Sequence, residues 1–254
     1  MKFTILRFDS IDSTNTAAAT QARNGAAEGL CILAGEQTAG RGRHGRTWVS
    51  NKGAGLYLSI VLRPRFDSQF LPLITLMTGV AVHDALREFG VASDIKWVND
   101  LLVNDTKISG ILAETVETPT GLAVIVGIGV NLSIQETDTG ISDSITSIES
   151  NTGCRHSADD VAEAVTRYLS HFYGFLDDEN GRKYILQKWR QRSTYFHGKA
   201  VSVTLAGSVF EGVTDGLEEN GALRVKTSDG LIKIVQAGDV ERLREDVGNC
   251  FEYK

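Results

Sequence analysis

The arginine–glycine segment at residues 40–48 is the part of the sequence best suited to chemistry on an anion. It reads G-R-G-R-H-G-R-T-W, so Arg41, Arg43 and Arg46 stand close together between glycines. A guanidinium presents a planar fork of donors that matches phosphate or carboxylate oxygens, and glycine lets the backbone approach a ligand closely. Trp48 adds a flat apolar face. The segment therefore predicts a site for an anionic ligand that carries a planar ring.

The same segment has other interpretations. Gly40 to Gly45 formally matches the dinucleotide-binding pattern G-x-G-x-x-G, but residues 46–55 do not read as a helix and no acid follows about 20 residues on. A P-loop requires Lys and Ser/Thr where this chain has Arg41 and Gly42, so that interpretation fails at its two functional positions. A flexible basic surface loop and an RNA-binding arginine–glycine element remain as alternatives.

Two neighbouring segments carry a second set of charges, K-W-V-N-D at 96–100 and K-I-S-G-I-L-A-E at 107–114. Lys96 and Lys107 bracket apolar strand patterns. Asp100 is a candidate Mg²⁺ ligand, because Mg²⁺ on nucleotide phosphates often uses only one or two carboxylates. A β-hairpin with charged ends is the structural alternative for these residues.

A third segment, G-I-G-V-N-L at 127–132, places two glycines inside an apolar strand pattern. Glycine weakens a strand, and it often marks the close approach of a ligand or of another backbone. A β-bulge explains the same pattern equally well.

The elements that must position these segments follow from hydrophobic periodicity. Strand patterns occur at 3–8, 30–34, 56–62, 94–98, 101–103, 107–115 and 122–130, and helix patterns at 13–25, 73–89, 158–176 and 180–192. Ser, Thr or Asn at the start of the first helix pattern can cap its amides, and Ser157 with Asp160 resembles a capping box. Asn104-Asp105 predicts a tight turn. The patterns favour an antiparallel or mixed sheet with helices on one face.

The hydrophobic pattern of the sequence changes near residue 197. Short strand patterns at 200–205, 209–213, 222–227 and 231–235 are separated by turn signals at Ala206-Gly207, Asn220-Gly221 and Asp229-Gly230. Strands at such close spacing predict a small barrel appended to the main domain.

Composition narrows the classes of function. The net charge of −6 over 254 residues disfavours general nucleic-acid binding, because phosphates demand Lys and Arg. Cys31, Cys154 and Cys250 show neither metal-ligand nor disulfide spacing. No secretory signal is apparent and no apolar run approaches a membrane span of about 18–20 residues, so we expect a cytoplasmic protein with no membrane role.

Taken together, the motifs resemble those of biotin–protein ligases. The matching pieces are S-T-N at 13–15, Q-T-A-G-R-G-R-H-G-R-T-W at 37–48, K-W-V-N-D, K-I-S-G-I-L-A-E, G-I-G-V-N-L and T-S-I at 146–148, with G-A-L at 221–223 in the small β-domain. The resemblance implies an α+β fold, with a class II aminoacyl-tRNA synthetase-like mixed sheet flanked by helices and an SH3-like barrel after it. The implied domains are a catalytic domain at 1–196 and a C-terminal domain at 197–254.

The resemblance also implies substrates and residue roles. Biotin and ATP would be the substrates, with Mg²⁺ as cofactor and biotinyl-5′-AMP as the intermediate. The implied biotin-binding residues are Ser13, Thr14, Asn15, Gln37, Gly40, Arg41, Gly42, Arg43, Trp48, Lys107 and Gly110. The implied ATP-binding residues are Arg43, Arg46, Lys96, Asn99, Lys107 and Asn131. The implied catalytic residues are Arg43, Lys107 and Asp100, and Asp100 is the implied metal ligand.

The resemblance also implies partners, and the sequence departs from the family pattern at two places. The carrier would be a biotin carboxyl carrier protein of a carboxylase. Relatives can dimerise through sheet edges, and the strand at 122–130 is our candidate for a homodimer contact. Val98 stands where the family commonly has proline. Only twelve residues precede Ser13, so we expect no helix-turn-helix and no DNA partner.

Three alternatives remain for the activity. They are a lipoate or octanoate ligase, a non-catalytic biotin sensor and an RNA-binding module. No function is assigned to the tail Glu245–Lys254.

Overall fold

The computed structural model describes residues 1–135, 144–205, 207–236 and 238–242. The chain divides into two compact units. The first comprises Met1–Thr194 with Glu219–Gly221, and the second comprises Tyr195–Glu218 with Ala222–Lys254. Ala206 of the expected Ala206-Gly207 turn and the whole tail from Glu245 lie outside the described residues.

A seven-stranded mixed sheet forms the first unit. Its strands are β1 (Thr4–Phe8), β2 (Leu30–Ala34), β3 (Gly55–Leu62), β4 (Asp94–Lys96), β5 (Asp100–Val103), β6 (Thr106–Thr118) and β7 (Gly121–Asn131). They lie in the order β1-β2-β3-β7-β6-β5-β4, with β1 parallel to β2 and every other neighbour antiparallel. The expected tight turn is present, since Asn104 and Asp105 have φ of 50° and 63°.

The position of β7 contradicts one expectation. This strand lies in the interior of the sheet, hydrogen-bonded to β3 on one side and to β6 on the other. Its backbone groups are therefore already paired, so the proposal that the strand at 122–130 offers an edge for a dimer is wrong. The edges of this sheet are β1 and β4.

Five α-helices accompany the sheet in the part of the chain that the structure describes. They are α1 (Thr14–Arg23), α2 (Pro72–Glu88), α3 (Ile148–Thr152), α4 (Ala158–Tyr173) and α5 (Glu179–Arg190). Helix α1 buries Ala18 and Ala22 against Val61 and Ile125 on one face of the sheet. Helix α2 packs on the opposite face, and α4 and α5 pack against α2.

The location of α2 follows from register. A Cβ on Gly79 of α2 would lie 3.3 Å from Ile95 and 3.9 Å from Ile111. Ile111 pairs with Ile128, whose side chain points away from the face that carries Ile125, because successive strand residues alternate. The expectation of helices on one face is therefore wrong, and helices cover both faces of the sheet.

The N-termini of α1 and α4 show which of the predicted helix caps form. Ser157 Oγ accepts from the Asp160 amide at 3.1 Å and Asp160 accepts from the Ser157 amide at 3.3 Å, which confirms the capping box of α4. Ser13 occupies the N-cap of α1 but makes no capping bond through its side chain. Gln37 takes over part of that role, since its Oε1 accepts from the Thr14 amide at 2.8 Å.

Among the described residues, one helix is long and apolar enough, by length and composition alone, to cross a membrane. This segment, Ser68–Glu88, is 21 residues long, so the expectation that no apolar run approaches the length of a membrane span is wrong. Most of the apolar part of this segment is buried inside the protein. Helix α2, which makes up most of the segment, packs on the sheet. Burial against the sheet accounts for its apolar composition.

The second unit is a five-stranded antiparallel sheet. Its strands are β8 (His197–Leu205), β9 (Ser208–Leu217), β10 (Leu223–Lys226), β11 (Ile232–Val235) and β12 (Asp239–Arg242), in the order β11-β10-β9-β8-β12. Alternate inward positions build its core, with Val201, Val203, Leu223, Val225 and Val235 fully buried. The four strands expected from the sequence are all present, and β12 was not expected.

Candidate functional site

One row of paired residues crosses the sheet of the first unit and brings several predicted site residues to the same face. Tyr57 pairs with Gly129, Gly129 with Gly110, Gly110 with Asp100, and Asp100 with Lys96. Directly opposed residues in antiparallel strands project to the same side. The register therefore places Asp100 and Lys96 in one row with Gly110 and Gly129, on the same face of the sheet.

The glycines of this face leave room for two large side chains. A Cβ on Gly129 would lie 2.5 Å from Trp48, one on Gly110 would lie 2.9 Å from Trp48, and one on Gly127 would lie 2.3 Å from Asn15. The pairing of β7 is regular through these positions, so the bulge interpretation is wrong. The close approach is made by protein side chains.

The arginine–glycine segment forms a short hairpin-like loop. Arg41 and Thr47 are bridged in antiparallel fashion, the Gly42 amide donates to the Arg46 carbonyl at 2.7 Å, and the turn passes through His44 with φ of 53°. Residues 46–54, all within the described part of the chain, form no helix, which excludes the dinucleotide-fold and P-loop interpretations. The Trp48 amide donates to the Gly40 carbonyl at 3.0 Å, so both ends of the loop are joined.

Polar side chains from separate segments form one connected wall beside this loop. Thr14 Oγ1 donates to Gln37 Oε1 at 3.0 Å, and Gln37 Nε2 donates to Ser50 Oγ at 2.9 Å. Ser59 Oγ donates to Asn15 Oδ1 at 2.6 Å and lies 2.7 Å from Thr14 Oγ1. The structure therefore brings Thr14, Asn15 and Gln37 together as expected from their motifs, and Ser13 at 3% exposure lies next to them in the chain.

The sequence reasoning missed the two serines of this wall. Ser59 is fully buried. It could have been identified from the sequence, since it is the one polar residue inside the apolar strand L-Y-L-S-I-V-L. Ser50 carried no such signal. Its role depends on a hydrogen bond to Gln37, which lies 13 residues earlier.

Glu114 was also missed, although it ends the quoted motif at 107–114. Its Oε2 accepts from Asn15 Nδ2 at 2.7 Å and from an Arg41 guanidinium nitrogen at 2.8 Å. One carboxylate oxygen therefore holds the start of α1 and the arginine–glycine loop at the same time.

Lys107 and Asp100 form the charged centre of the face. Lys107 Nζ lies 2.7 Å from Asp100 Oδ1 and 5.4 Å from the centroid of a Trp48 ring. Asp100 Oδ1 is buried, and its contact with the ammonium lacks hydrogen-bond geometry. A buried acceptor without a hydrogen bond is a suitable ligand for a cation.

Among the described residues, Asp100 is the carboxylate that pairs with Lys107 at this centre. Residues 1–135, 144–205, 207–236 and 238–242 contain no group of three or more His, Cys, Asp or Glu that would form a protein-only metal site. Mg²⁺ bound through nucleotide phosphates needs only one or two carboxylates, so Asp100 fits an ion that arrives with the nucleotide.

Asn99 links the loop to the charged centre. Arg43 donates to Asn99 Oδ1 at 3.1 Å, and Asn99 Nδ2 donates to the Ile111 carbonyl at 3.0 Å. The peptide bond between Trp97 and Val98, where the family commonly has proline, is cis.

Asn131 connects two segments of the chain through its side-chain amide. Its Nδ2 donates to the carbonyls of Thr146 at 3.0 Å and Lys107 at 3.3 Å. Asn131 therefore ties the T-S-I segment to the start of β6 while its side chain also lines a cavity.

Two cavities lie at this site, one beside the arginine–glycine loop and one beside Lys107. A larger one of about 620 Å³ is lined by the loop residues together with Leu112 and Glu114. A smaller one of about 180 Å³ is lined by Trp48, Tyr57, Lys107, Asn131 and the segment Ser144–Ile145, among others. Gly42, Arg43 and Arg46 line the larger cavity and Lys107 lines the smaller one, so each cavity has at least one cation in its wall. The arrangement suits an elongated anionic ligand.

Two family models match the chain. Residues 7–131 match the Biotin/lipoate A/B protein ligase family, and residues 196–243 match the Biotin protein ligase C terminal domain. Both matches fall on the motifs and on the small β-domain described above.

Known relatives are similar over nearly the whole chain. The chain is 34% identical over 247 residues to the bifunctional ligase/repressor BirA of Bacillus subtilis, covering 93% of this chain and 73% of that protein. It is 32% identical over 249 residues to the biotin–[acetyl-CoA-carboxylase] ligase of Paracoccus denitrificans, covering 90% of this chain and 96% of that protein.

A solved structure extends the similarity to the fold. The biotin protein ligase from Aquifex aeolicus in complex with biotin and ATP aligns with a TM-score of 0.83 and 28% identity, covering 94% of this chain and 99% of that one. These similarities confirm the expected fold class, which is a class II aminoacyl-tRNA synthetase-like catalytic domain with a small β-domain after it.

Proposed function

Because the chain belongs to the biotin protein ligase family, we propose that it uses ATP to attach biotin to a lysine of a biotin carboxyl carrier protein. The observation that carries the proposal is the ion pair of Lys107 with Asp100 beside Trp48, together with the polar wall of Thr14 and Gln37. Arg43 joins this centre through its hydrogen bond to Asn99. This arrangement offers a neutral hydrogen-bonding pocket next to a cluster of cations, and biotin and ATP together require both.

The first step joins the two substrates. A carboxylate oxygen of biotin attacks the α-phosphorus of ATP, the bond to the β-phosphate breaks, and pyrophosphate leaves. The product is biotinyl-5′-AMP, a mixed anhydride. This attack brings an anion toward a polyanion, so the cations Arg43, Arg46 and Lys107 neutralise charge that would otherwise repel. Positioning and charge neutralisation are sufficient for this chemistry.

The second step transfers the acyl group. The amine of a carrier lysine attacks the biotinyl carbonyl, AMP leaves, and the amine loses a proton as the amide forms. No covalent intermediate with this protein is required. Arg43 is proposed to retain the adenylate, because its guanidinium lies over Asn99 at the edge of the charged centre. Closure of the arginine–glycine loop would shield the anhydride from water.

Mg²⁺ belongs to the proposal as an ion carried by the nucleotide. Asp100 would hold it, and the bound ion would supply further neutralisation of phosphate charge. The remaining ATP contacts are proposed for Lys96 and Asn99 on the phosphate side. Asn131 is proposed for the adenine side, since it lines the smaller cavity.

The biotin head is proposed to lie against the polar wall. Ser13, Thr14, Asn15 and Gln37 offer donors and acceptors to a ureido ring, and they are already hydrogen-bonded to one another or buried. Gly40 is required at the base of the loop, because a Cβ there would lie 2.3 Å from the Trp48 carbonyl oxygen. Arg41, Gly42, Trp48 and Gly110 complete the proposed biotin contacts.

The biological setting is part of the same proposal. We place the reaction in the cytoplasm, with a carboxylase carrier domain as acceptor. We propose the ligase activity alone for residues 1–254, since a net charge of −6 gives no general attraction to DNA. A homodimer formed by strand pairing would use an edge of the sheet, and the β1 edge exposes Leu6 and Phe8, each at 38%.

The test is the intact mass of a biotin carrier domain after incubation with the protein and Mg-ATP, with either biotin or lipoate added. We expect a mass gain of one biotinyl group with biotin alone. A gain with lipoate alone would replace the proposed substrate while keeping the reaction type. No gain with either acid would reject ligase activity and leave the alternative of a biotin sensor.

A further inference from the structure

We propose that Glu114 is a positioning residue for the biotin site, holding Arg41 and Asn15 from a single carboxylate oxygen. The proposal rests on the proposed function. Oε2 of Glu114 lies 2.7 Å from Asn15 Nδ2 and 2.8 Å from the nearest guanidinium nitrogen of Arg41. Asn15 and Arg41 stand 99 and 73 residues away from Glu114 in the chain, so this oxygen joins three distant segments.

The register of β6 places Glu114 on the ligand face. Gly110, Leu112 and Glu114 alternate along the strand and share one side of the sheet. Leu112 and Glu114 line the larger cavity together with the loop that contains Arg41. Glu114 therefore stands in the wall of the proposed biotin pocket.

The two partners of Glu114 differ in their exposure. The Arg41 and Glu114 side chains are 46% and 33% exposed, so this ion pair contributes little to stability by itself. Asn15 is only 4% exposed, and without Glu114 its Nδ2 would keep just the Leu112 carbonyl at 3.3 Å. The carboxylate therefore matters chiefly for where Asn15 and Arg41 point.

Asn15 passes this constraint on to the rest of the wall. Its Oδ1 accepts from Ser59, which in turn contacts Thr14. Gly127 leaves the space that the Asn15 amide occupies, because a Cβ there would lie 2.3 Å from the amide oxygen. Loss of Glu114 should therefore disturb the biotin contacts and leave the smaller cavity intact, since Glu114, Asn15 and Arg41 do not line it.

The experiment compares Glu114→Gln and Glu114→Ala with the wild-type protein in carrier biotinylation. For Glu114→Ala we expect the KM for biotin to rise about tenfold or more, as for the loss of a charge-assisted hydrogen bond. Glu114→Gln keeps an acceptor oxygen of the same reach and should recover part of the loss. The KM for ATP and kcat should stay within about twofold of wild type, because the expected loss is confined to the biotin contacts.

The control is Glu117→Gln, which removes the same charge from an exposed position on the same strand. It should leave the KM for biotin unchanged. Melting temperature measured on each variant separates loss of folding from loss of positioning. If Glu114→Ala unfolds, the comparison of Glu114→Gln with Glu117→Gln still decides the question.

A double-mutant cycle with Arg41→Ala tests the mechanism. If Glu114 acts through Arg41, part of the effect of Glu114→Gln should vanish in the Arg41→Ala background. Full additivity, an unchanged KM for biotin, or a lower KM would each overturn the proposal; a lower KM would mean that Glu114 competes with the ligand for Arg41. Failure of the proposed function is distinct, because wild-type protein would then not biotinylate the carrier.

Discussion

Lys107 Nζ lies 2.7 Å from Asp100 Oδ1, and this ion pair stands beside Gly110 under the indole of Trp48. The two side chains are 30% and 21% exposed, so the pair is open enough to be reached by a ligand. An incoming phosphate would offer the ammonium a more highly charged partner than the carboxylate. The pair therefore places a cation and an anion at the position where the proposed reaction needs both.

Lys107→Ala is expected to lower adenylate formation by about 10²–10³-fold, the usual cost of losing one preorganised electrostatic contact. The measurement is biotin-dependent exchange of pyrophosphate into ATP. Lys2→Ala, at an exposed position near the N-terminus, is the matched control and should exchange normally. Normal exchange in Lys107→Ala would remove Lys107 from the mechanism.

Arg43→Gly is expected to keep adenylate formation while releasing biotinyl-5′-AMP into solution. The physical reason is the loss of the guanidinium that lies 3.1 Å from Asn99 beside the charged centre. The measurement is biotinylation of lysines on an added bystander protein, which should increase. Arg65→Gly, in the exposed loop after β3, serves as control. Bystander labelling no higher than that of wild type would contradict the retention role.

Gly129→Ala is expected to displace Trp48, because the added Cβ would lie 2.5 Å from the indole. We expect a stability loss of about 1–3 kcal/mol, typical of overpacking, together with a higher KM for ATP. Chemical denaturation and carrier biotinylation measure the two effects. Gly174→Ala is the control, since nothing lies within 4 Å of a Cβ there and its φ is −63°. Equal stability and KM in both variants would show that Trp48 is not seated on Gly129.

Asp84 is expected to make the first unit acid-sensitive. Burial alone would raise the pKa of Asp84, but hydrogen bonds from His83 and Arg192 and their charges outweigh burial and lower the pKa to about 2. The folded pKa lies below the usual value of 3.8, so the contribution is present above about pH 4 and is lost as the pH falls toward 2. It corresponds to about 2 kcal/mol.

The measurement is the free energy of unfolding of wild type and Asp84→Asn between pH 5 and about pH 2. Wild type should lose stability more steeply than Asp84→Asn over that range. Asp159→Asn is the control, because the Asp159–Arg7 pair is 62% and 58% exposed and adds little. Parallel curves for wild type and Asp84→Asn would contradict the prediction.

Much of the secondary structure could be predicted from local pattern. The expected strand at 122–130 became Gly121–Asn131, and the expected helix at 73–89 became Pro72–Glu88. Helix α3 (Ile148–Thr152) and strand β12 (Asp239–Arg242) were not expected. Each is too short to show a period, and β12 exists only because β8 supplies hydrogen-bond partners.

The sequence by itself determined which residues could do the chemistry. Arginines between glycines at 40–48, Lys107 and Asp100 are recognisable because a side chain keeps its charge and reach wherever the chain folds. Tertiary structure alone decided which of them meet and what supports them. Register set Asp100 beside Gly110 and put β7 in the interior of the sheet, and packing brought Glu114 to Asn15 across 99 residues. Contacts of that separation leave no local pattern, because they depend on how whole strands and helices pair and pack.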